Sequence, residues 1–446
     1  MKRASGAANG TKVVSTGQRE NVRKLIIRVG TFSYFVGVTI GFASVNEASL
    51  VAIPYVRSVA LSLAALCSFF YLLSGFARPT TIAALAIAIS TYSYGLLLGL
   101  DNLEHFALAG MLFQSIVVVS FGTLYVSISD RYGVQESLPK YYAVFAFLCL
   151  AFLVMTNGVN FNFPPSFQFS LFAESGSAFT YSQGVSAFFG LAAICSLWNF
   201  LNASLRRAKV IHLIFFLCFL LFSLVGGARG EVFFLVVVVL MMSARNGAAG
   251  RRAISLLAVL AIGLLLVMDG LALGEVTIVK RFFEIFSGQT LGYRDVLFSQ
   301  AASLLTEEPG CLFIGCGYAH FQAHYGYSYG FYPHNLLLEA VITWGIFNMV
   351  ILSLLFSVGL KGVGRFGLLE YLALFFLLIG MKSGDLIGSW LAMSFFYYYC
   401  GIGLLRIVRV YRARSKVEGK YNKYRVEPSN SVRLGARDVV TAPRRS

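Results

Sequence analysis

The chain has 446 residues, of which 57% are hydrophobic and 13% charged, with a mean hydropathy of +0.73. A soluble domain carries roughly 25% charged residues, so a chain this apolar has lipid as its solvent and no room for a large soluble domain. The net charge of +16 does not mark a nucleic-acid binder: Lys and Arg fall in the tails and short loops, where they read as topology determinants and contacts to membrane lipid.

A span needs about 20 mostly apolar residues. The polar, basic opening 1–24 precedes a first span too long for a cleaved leader, and reads as an uncleaved signal anchor. Twelve spans follow, near 25–44, 56–77, 80–100, 105–128, 141–157, 180–202, 210–226, 231–244, 253–273, 334–358, 367–381 and 386–405. The eighth and eleventh are short. The expected fold is an all-α polytopic membrane protein with a transmembrane domain over 25–405, a long external loop at 274–333 within it, and a basic C-terminal tail over 406–446.

Orientation follows from Lys and Arg, which accumulate on the cytoplasmic side. With the N-terminus inside, the inside loops carry Arg78, Arg131, Lys140, Arg206, Arg207, Lys209, Arg245, Arg251, Arg252, Lys361 and Arg365, and the C-terminal tail is also inside. The outside loops near 45–53, 101–104 and 158–179 carry no Lys or Arg. The outside basic residues are then exceptions that need a reason: Arg57, Arg229, Lys280, Arg281, Arg294 and Lys382.

Three external segments carry candidate chemistry. "GGARGE" at 226–231 holds Arg229 on a Gly-rich turn before a span, where a planar guanidinium suits phosphate oxygens. "LGYRD" at 291–295 places Arg294 at the start of a short amphipathic helix over 294–305, and Arg281 lies in the same loop. "GCGYAHF" at 315–321 has a tight turn at Gly315 and Gly317, and Tyr318, Tyr325, Tyr327, Tyr329 and Tyr332 crowd the stretch after it. Flat hydroxylated rings suit sugar faces, and they equally suit an interfacial aromatic belt. His334 and Asn335 lead straight into a span, which fixes His334 at the outer face as a base or orienting group. His320 and His324 stand four apart, but no third ligand of metal spacing follows, so no metal site is expected. Cys311 and Cys316 lie in the outside loop, where a disulfide is permitted. Glu174, Glu231, Glu339 and Asp385 are the external or near-external acids of interest.

"GGARGE" before a span, "YRD" in a long outside loop, and "GCGYAHF" followed by "YPHNLLLEAVITWG" into the next span resemble the O-antigen polymerase and O-antigen ligase superfamily. The resemblance covers about residues 170–400; the N-terminal spans match only in hydropathy. "FAESGSAF" is similar to the Glu-Pro-Ser segment of many polymerases, with Ser175 in place of Pro. The resemblance implies a GT-C-like, metal-independent, inverting glycosyltransferase of the bacterial inner membrane that needs no cofactor. Its donor is a glycan on undecaprenyl diphosphate, and its partners are the flippase and chain-length regulator of the same pathway. By motif position the catalytic residues are Arg229, Arg294 and His334. Arg229, Arg294 and Arg281 take the diphosphate; the tyrosines, Asn335 and Glu174 take the glycan.

Polymerase and ligase differ in acceptor, a second lipid-linked repeat unit or the lipid A core. "FAESGSAF" leans towards polymerase. A secondary transporter is the rival of another class. Against it, the long loop is outside and the connection between spans six and seven is only "ASLRRAK". Ionisable residues within the spans are also sparse.

Overall fold

A computed structural model describes residues 16–73, 78–105, 108–129, 134–161, 166–167, 182–247, 250, 294–328, 331–361 and 366–425. The expected ninth span and residues 274–293 lie outside them. Helices account for nearly all of the described chain, and nine among the described residues are long and apolar enough to cross a membrane. This is an all-α multi-pass membrane architecture.

The long helices are α1 (Thr16–Thr39, continued by a 3-10 turn at Ile40–Ala43), α2 (Glu47–Leu73), α3 (Pro79–Leu98), α5 (Ala109–Ser129), α6 (Val134–Met155), α7 (Gln183–Asn202) and α8 (Arg206–Val225). A short α4 (Leu100–His105) separates α3 from α5. Next comes α9 (Arg229–Arg245), then three short helices, α10 (Arg294–Glu307), α11 (Pro309–Phe313) and α12 (His320–Tyr325). The chain closes with α13 (Leu336–Leu360), α14 (Leu368–Ser383) and α15 (Trp390–Arg425). α9 and α14 have 17 and 16 residues, at the positions read as short spans. A two-stranded antiparallel ribbon pairs Val159–Asn160 with Ser166–Phe167.

Burial sorts the bundle into layers. α7 is the most enclosed span, 78% buried along its apolar window, whereas α2 and α8 are 22% buried and form the periphery. The outward faces carry Val51, Leu66, Phe69 and Leu73 on α2 and Ile211, Ile214 and Leu221 on α8, all exposed. So much apolar surface on the outside is stable only against lipid. Inside, hydroxyl pairs bridge helices: Tyr34 to Ser394 at 2.9 Å, Tyr142 to Thr39 at 2.8 Å and Thr81 to Ser127 at 2.6 Å. Such bonds join helices where hydrophobic attraction between them is absent.

The second span begins nine residues before its expected start. Asn46 Oδ1 accepts from Ser49 N at 3.0 Å, and Ser49 Oγ accepts from Asn46 N at 2.9 Å. This reciprocal cap starts the helix at Glu47. Arg57 therefore lies well inside α2 rather than at its edge.

The central irregularity is in α13. At Gly345 the backbone takes φ 77° and ψ 159°, which breaks the helix. Within a membrane the carbonyls freed by such a break need partners. Ile342 O accepts from Cys316 N at 2.7 Å and Thr343 O accepts from Gly317 N at 3.1 Å. The loop supplying those donors is itself wedged against α3, with Tyr94 Oη donating to Ile314 O at 2.8 Å. Gly315 and Gly317 have positive φ, and a side chain on either one would meet backbone: Thr343–Gly345 for the first, Leu98–Gly99 for the second.

Gly317→Ala is expected to cost about 3 kcal/mol or more, since it adds backbone overlap to a left-handed conformation. Gly326→Ala, at φ 65° in open space, is expected to cost only about 1 kcal/mol. Thermal unfolding of the two variants in detergent measures the contrast, and equal loss of stability would contradict this account of the wedge.

Candidate functional site

The turn after α8 is built from the "GGAR" sequence. Gly226 lies flat on Ser186 of α7, with no room for a side chain, and Gly227 has φ 75°. Ser182 N donates to Gly226 O at 2.9 Å, Ser186 Oγ donates to Ser223 O at 2.9 Å, and Ser223 Oγ returns a bond to Ser186 O at 2.8 Å. α9 then begins at Arg229, behind an Ala228 that provides no side-chain cap. Its first-turn N–H groups thus carry the positive end of the helix dipole without a capping side chain. The backbone places Arg229 at this helix start; its side chain lies outside the described residues.

Glu231, in the first turn of α9, is fully buried. Lys382 near the end of α14 donates to its Oε2 at 2.7 Å. Gly230 makes this possible, because the aliphatic stem of Lys382 runs across the space a side chain there would fill. Glu231 Oε1 is buried with no hydrogen-bond partner among the described residues. A buried polar atom in that state is uncommon in native folds.

Lys382 leads into the loop 384–389. There Asp385 Oδ1 accepts from Gly388 N at 2.9 Å, and Leu386 N donates to Glu339 Oε2 of α13 at 3.2 Å. Glu339 therefore binds this loop to the first turn of α13. Asn335 caps that helix, its Oδ1 accepting from Leu338 N at 2.9 Å. His334, just before the cap, has φ 51°, a left-handed conformation that costs a non-glycine residue energy. Its ring lies 4.1 Å from that of Tyr332, centroid to centroid.

A cavity of 340 Å³ opens among α1, α7, α9, α14 and the 384–389 loop, lined by Phe42, Gln183, Glu231, Gly380, Asp385 and Trp390 among others. Arg57 of α2 sets its guanidinium 4.6 Å from the centre of the Trp390 ring, a cation–π contact. Trp390 Nε1 is held by Ser115 Oγ at 3.0 Å. Glu231, Asp385 and Trp390 thus line one cavity at one end of the bundle, Lys382 and Arg57 contact Glu231 and Trp390 behind that wall, and Glu339 ties the His334–Glu339 segment to the 384–389 loop. Arg57 and Lys382 were visible in the sequence only as exceptions to the charge pattern. Their long-range pairing with Trp390 and Glu231 has no sequence signal.

The aromatic segment does something other than expected. Tyr318 is buried inside the bundle, its ring stacked on Tyr92 at 6.1 Å, and leaves no face for a glycan. Tyr325 Oη donates to Gln300 O at 2.8 Å, and Tyr327 Oη donates to Gln300 Oε1 at 2.9 Å. Both rings pack with Phe321 on a small core of Leu297, Ala301, Leu304 and Ile342. Burial, with Glu307 nearby, pushes the Tyr325 phenol above its ordinary value, so it stays a donor. These tyrosines dock α10 onto α12 and α13. Asn335 likewise serves as a helix cap. Tyr332 keeps its place beside His334. Arg294 opens α10, close to its expected start, with its side chain outside the described residues, as are Glu174, Arg281 and Tyr329 altogether.

No metal-type ligand follows His320 and His324 at suitable spacing, but the fold brings earlier residues to His320. The partners precede the histidines instead of following them: Glu308, Cys311, Cys316 and His320 bring ligand atoms within 4.8 Å of one another. Cys311 and Cys316 are joined as a disulfide, with Cα atoms 4.8 Å apart.

No family model, curated protein or solved structure matches this chain.

Replacing Lys382 by Met leaves the buried Glu231 carboxylate without its cation and is expected to cost about 3 kcal/mol. Glu231→Gln together with Lys382→Met is expected to recover most of that loss. A double-mutant cycle on thermal unfolding reads the coupling; simple additivity would mean that the two side chains do not interact.

Proposed function

We propose that this protein is a GT-C-like membrane glycosyltransferase that polymerises undecaprenyl-diphosphate-linked repeat units on the external face of the bacterial inner membrane. The observation that carries this reading is the convergence of charge. Arg57, Arg229 and Lys382 are exceptions to the charge pattern; Arg57 and Lys382 contact the cavity-lining Trp390 and Glu231, the helix that Arg229 opens carries Glu231, and the histidine segment is tied to the same loop through Glu339.

The chemistry follows from that arrangement. Nucleotide sugars remain in the cytoplasm, so an external transferase needs a lipid-carried donor. Breaking the anomeric C–O bond puts charge on the departing diphosphate. Arg229 and the uncapped first turn of α9 are suited to that charge, and Arg294 and Arg281 are further donors from the long loop. Arg57 adds positive potential from α2. The acceptor hydroxyl loses its proton as it attacks the opposite face of the sugar, and His334 is the base or orienting group for that step. Its strained backbone, set between buried Pro333 and the Asn335 cap, fixes the imidazole height. Glu231 Oε1 offers an acceptor for a sugar hydroxyl at the cavity wall. Apolar walls between spans suit the polyprenyl tail. The activated donor supplies the driving force without a cofactor.

Ligation to lipid A core uses the same chemistry with another acceptor, and one experiment separates the readings. The gene is deleted in its host and surface polysaccharide is resolved by gel. Single-repeat product supports the polymerase, polymer retained on its lipid carrier supports the ligase, and an unchanged profile removes both. On complementation, Arg229→Ala and His334→Ala are each expected to lower polymer formation by about two to three orders of magnitude with normal protein level in the membrane. Wild-type chain lengths in both variants would sink the assignment of these residues.

A further inference from the structure

The cluster at the start of α11 is independent of the cavity described above. Glu308 precedes Pro309, and its side chain does not cap the helix that follows. It turns instead towards two cysteines and two histidines. Oε2 lies 3.1 Å from Cys311 Sγ, 4.0 Å from Cys316 Sγ and 3.0 Å from His320 Nε2. Oε1 lies 2.9 Å from His324 Nδ1. The positions of Glu308, Cys311, Cys316 and His320 are set by different pieces of backbone: the helix start, its first turn, the wedge between Gly315 and Gly317, and the first residue of α12.

In the disulfide form neither sulfur carries a proton. A carboxylate oxygen then faces two sulfur atoms with lone pairs on both sides and no hydrogen between them. In this form the carboxylate is held by His320 Nε2 and His324 Nδ1, and reduction would turn the two sulfurs into thiols able to give up their protons to a cation at the centre of the cluster. The donor set, two sulfurs, one imidazole nitrogen and one carboxylate oxygen, is that of a borderline-soft ion in tetrahedral geometry. With metal–ligand bonds of about 2.0–2.3 Å, tetrahedral ligands stand about 3.5 Å apart; the ligand atoms here lie within 4.8 Å of one another, and the two sulfurs, bonded to each other in the disulfide, would separate to that distance on reduction. His324, on the other carboxylate oxygen, orients the Glu308 group, as partners behind metal ligands do. The side chains of Glu308 and His320 are 35% and 23% exposed, which leaves an entry path.

We propose that Glu308, Cys311, Cys316 and His320 form a binding site for one Zn2+ in the dithiol state of this loop, with the Cys311–Cys316 disulfide as the cation-free alternative. The two states interconvert with a dithiol reductant: it passes two electrons and two protons to the disulfide and itself becomes a disulfide. Zn2+ then displaces the two thiol protons to solvent and takes both thiolates. Cys316 lies in the wedge that satisfies the broken helix α13, so the cation and the disulfide are two ways of clamping the same loop.

The test uses the full-length protein in detergent. One sample is reduced with tris(2-carboxyethyl)phosphine, the other is left untreated; both receive Zn2+ in slight excess and are desalted. About one zinc per chain is expected in the reduced protein, with at least tenfold less in the untreated protein and in reduced Cys311→Ser/Cys316→Ser. Glu308→Gln and His320→Gln are each expected to weaken zinc by about tenfold or more against a chromophoric chelator. In parallel, maleimide labelling read by mass spectrometry follows the thiols of the reduced wild type, where Zn2+ is expected to protect Cys311 and Cys316. Equal labelling of both thiols with and without Zn2+ overturns the proposal, and so does zinc retention no higher than in the double serine variant. The labelling arm needs no variant and decides the matter if the serine protein does not fold.

Discussion

The break in α13 at Gly345 is the constraint on which the rest of this structure depends. A backbone carbonyl freed inside a membrane has no water to turn to. Here Ile342 and Thr343 find their donors in Cys316 and Gly317, residues of a loop distant in sequence. That requirement pins the loop between α3 and α13, and glycine is needed wherever two backbones meet. Once pinned, the loop positions α10, α11 and α12, and the first half of α13 is held independently of the second. His334, Asn335 and Glu339 all belong to that first half or its entry.

The same end of the bundle shows how charge is tolerated in a lipid-facing protein. Glu231 is fully buried yet paired with Lys382, and Glu339 is buried yet accepts from the backbone of the 384–389 loop. Arg57 sits on an indole rather than on a carboxylate. Each of these side chains is placed by a different means, and each contact joins segments far apart in the chain. The outcome is a largely apolar cavity wall that carries a few polar groups, among them Gln183, Glu231 and Asp385, a costly arrangement within an apolar bundle.

Aromatic residues illustrate how a plausible chemical reading can be displaced by packing. A run of tyrosines in a loop suits sugar recognition as far as composition goes. In the fold, Tyr318 fills a gap beside Tyr92, and Tyr325 and Tyr327 spend their hydroxyls on Gln300. The helix α10 buries Leu297, Ala301 and Leu304, and the rings of Tyr325 and Tyr327 are part of what they pack against. Tyr332 differs because it follows the docking core and stands next to His334.

The sequence alone determined the membrane class and the approximate place of each described long helix, because a span must satisfy its own backbone and present apolar side chains over a set length. It also exposed Arg57, Arg229, Arg294 and Lys382 as basic residues against the charge pattern, and it located the glycine turns, since positive φ and close approach leave few other residues possible. Only the tertiary structure decided what those residues meet. The Glu231–Lys382 pair spans 151 positions, the Glu308–His320 contact depends on a wedge fastened to a broken helix, and the tyrosines were assigned to packing by neighbours on α3 and α10. Such contacts depend on which helix faces which, and local periodicity carries no record of that.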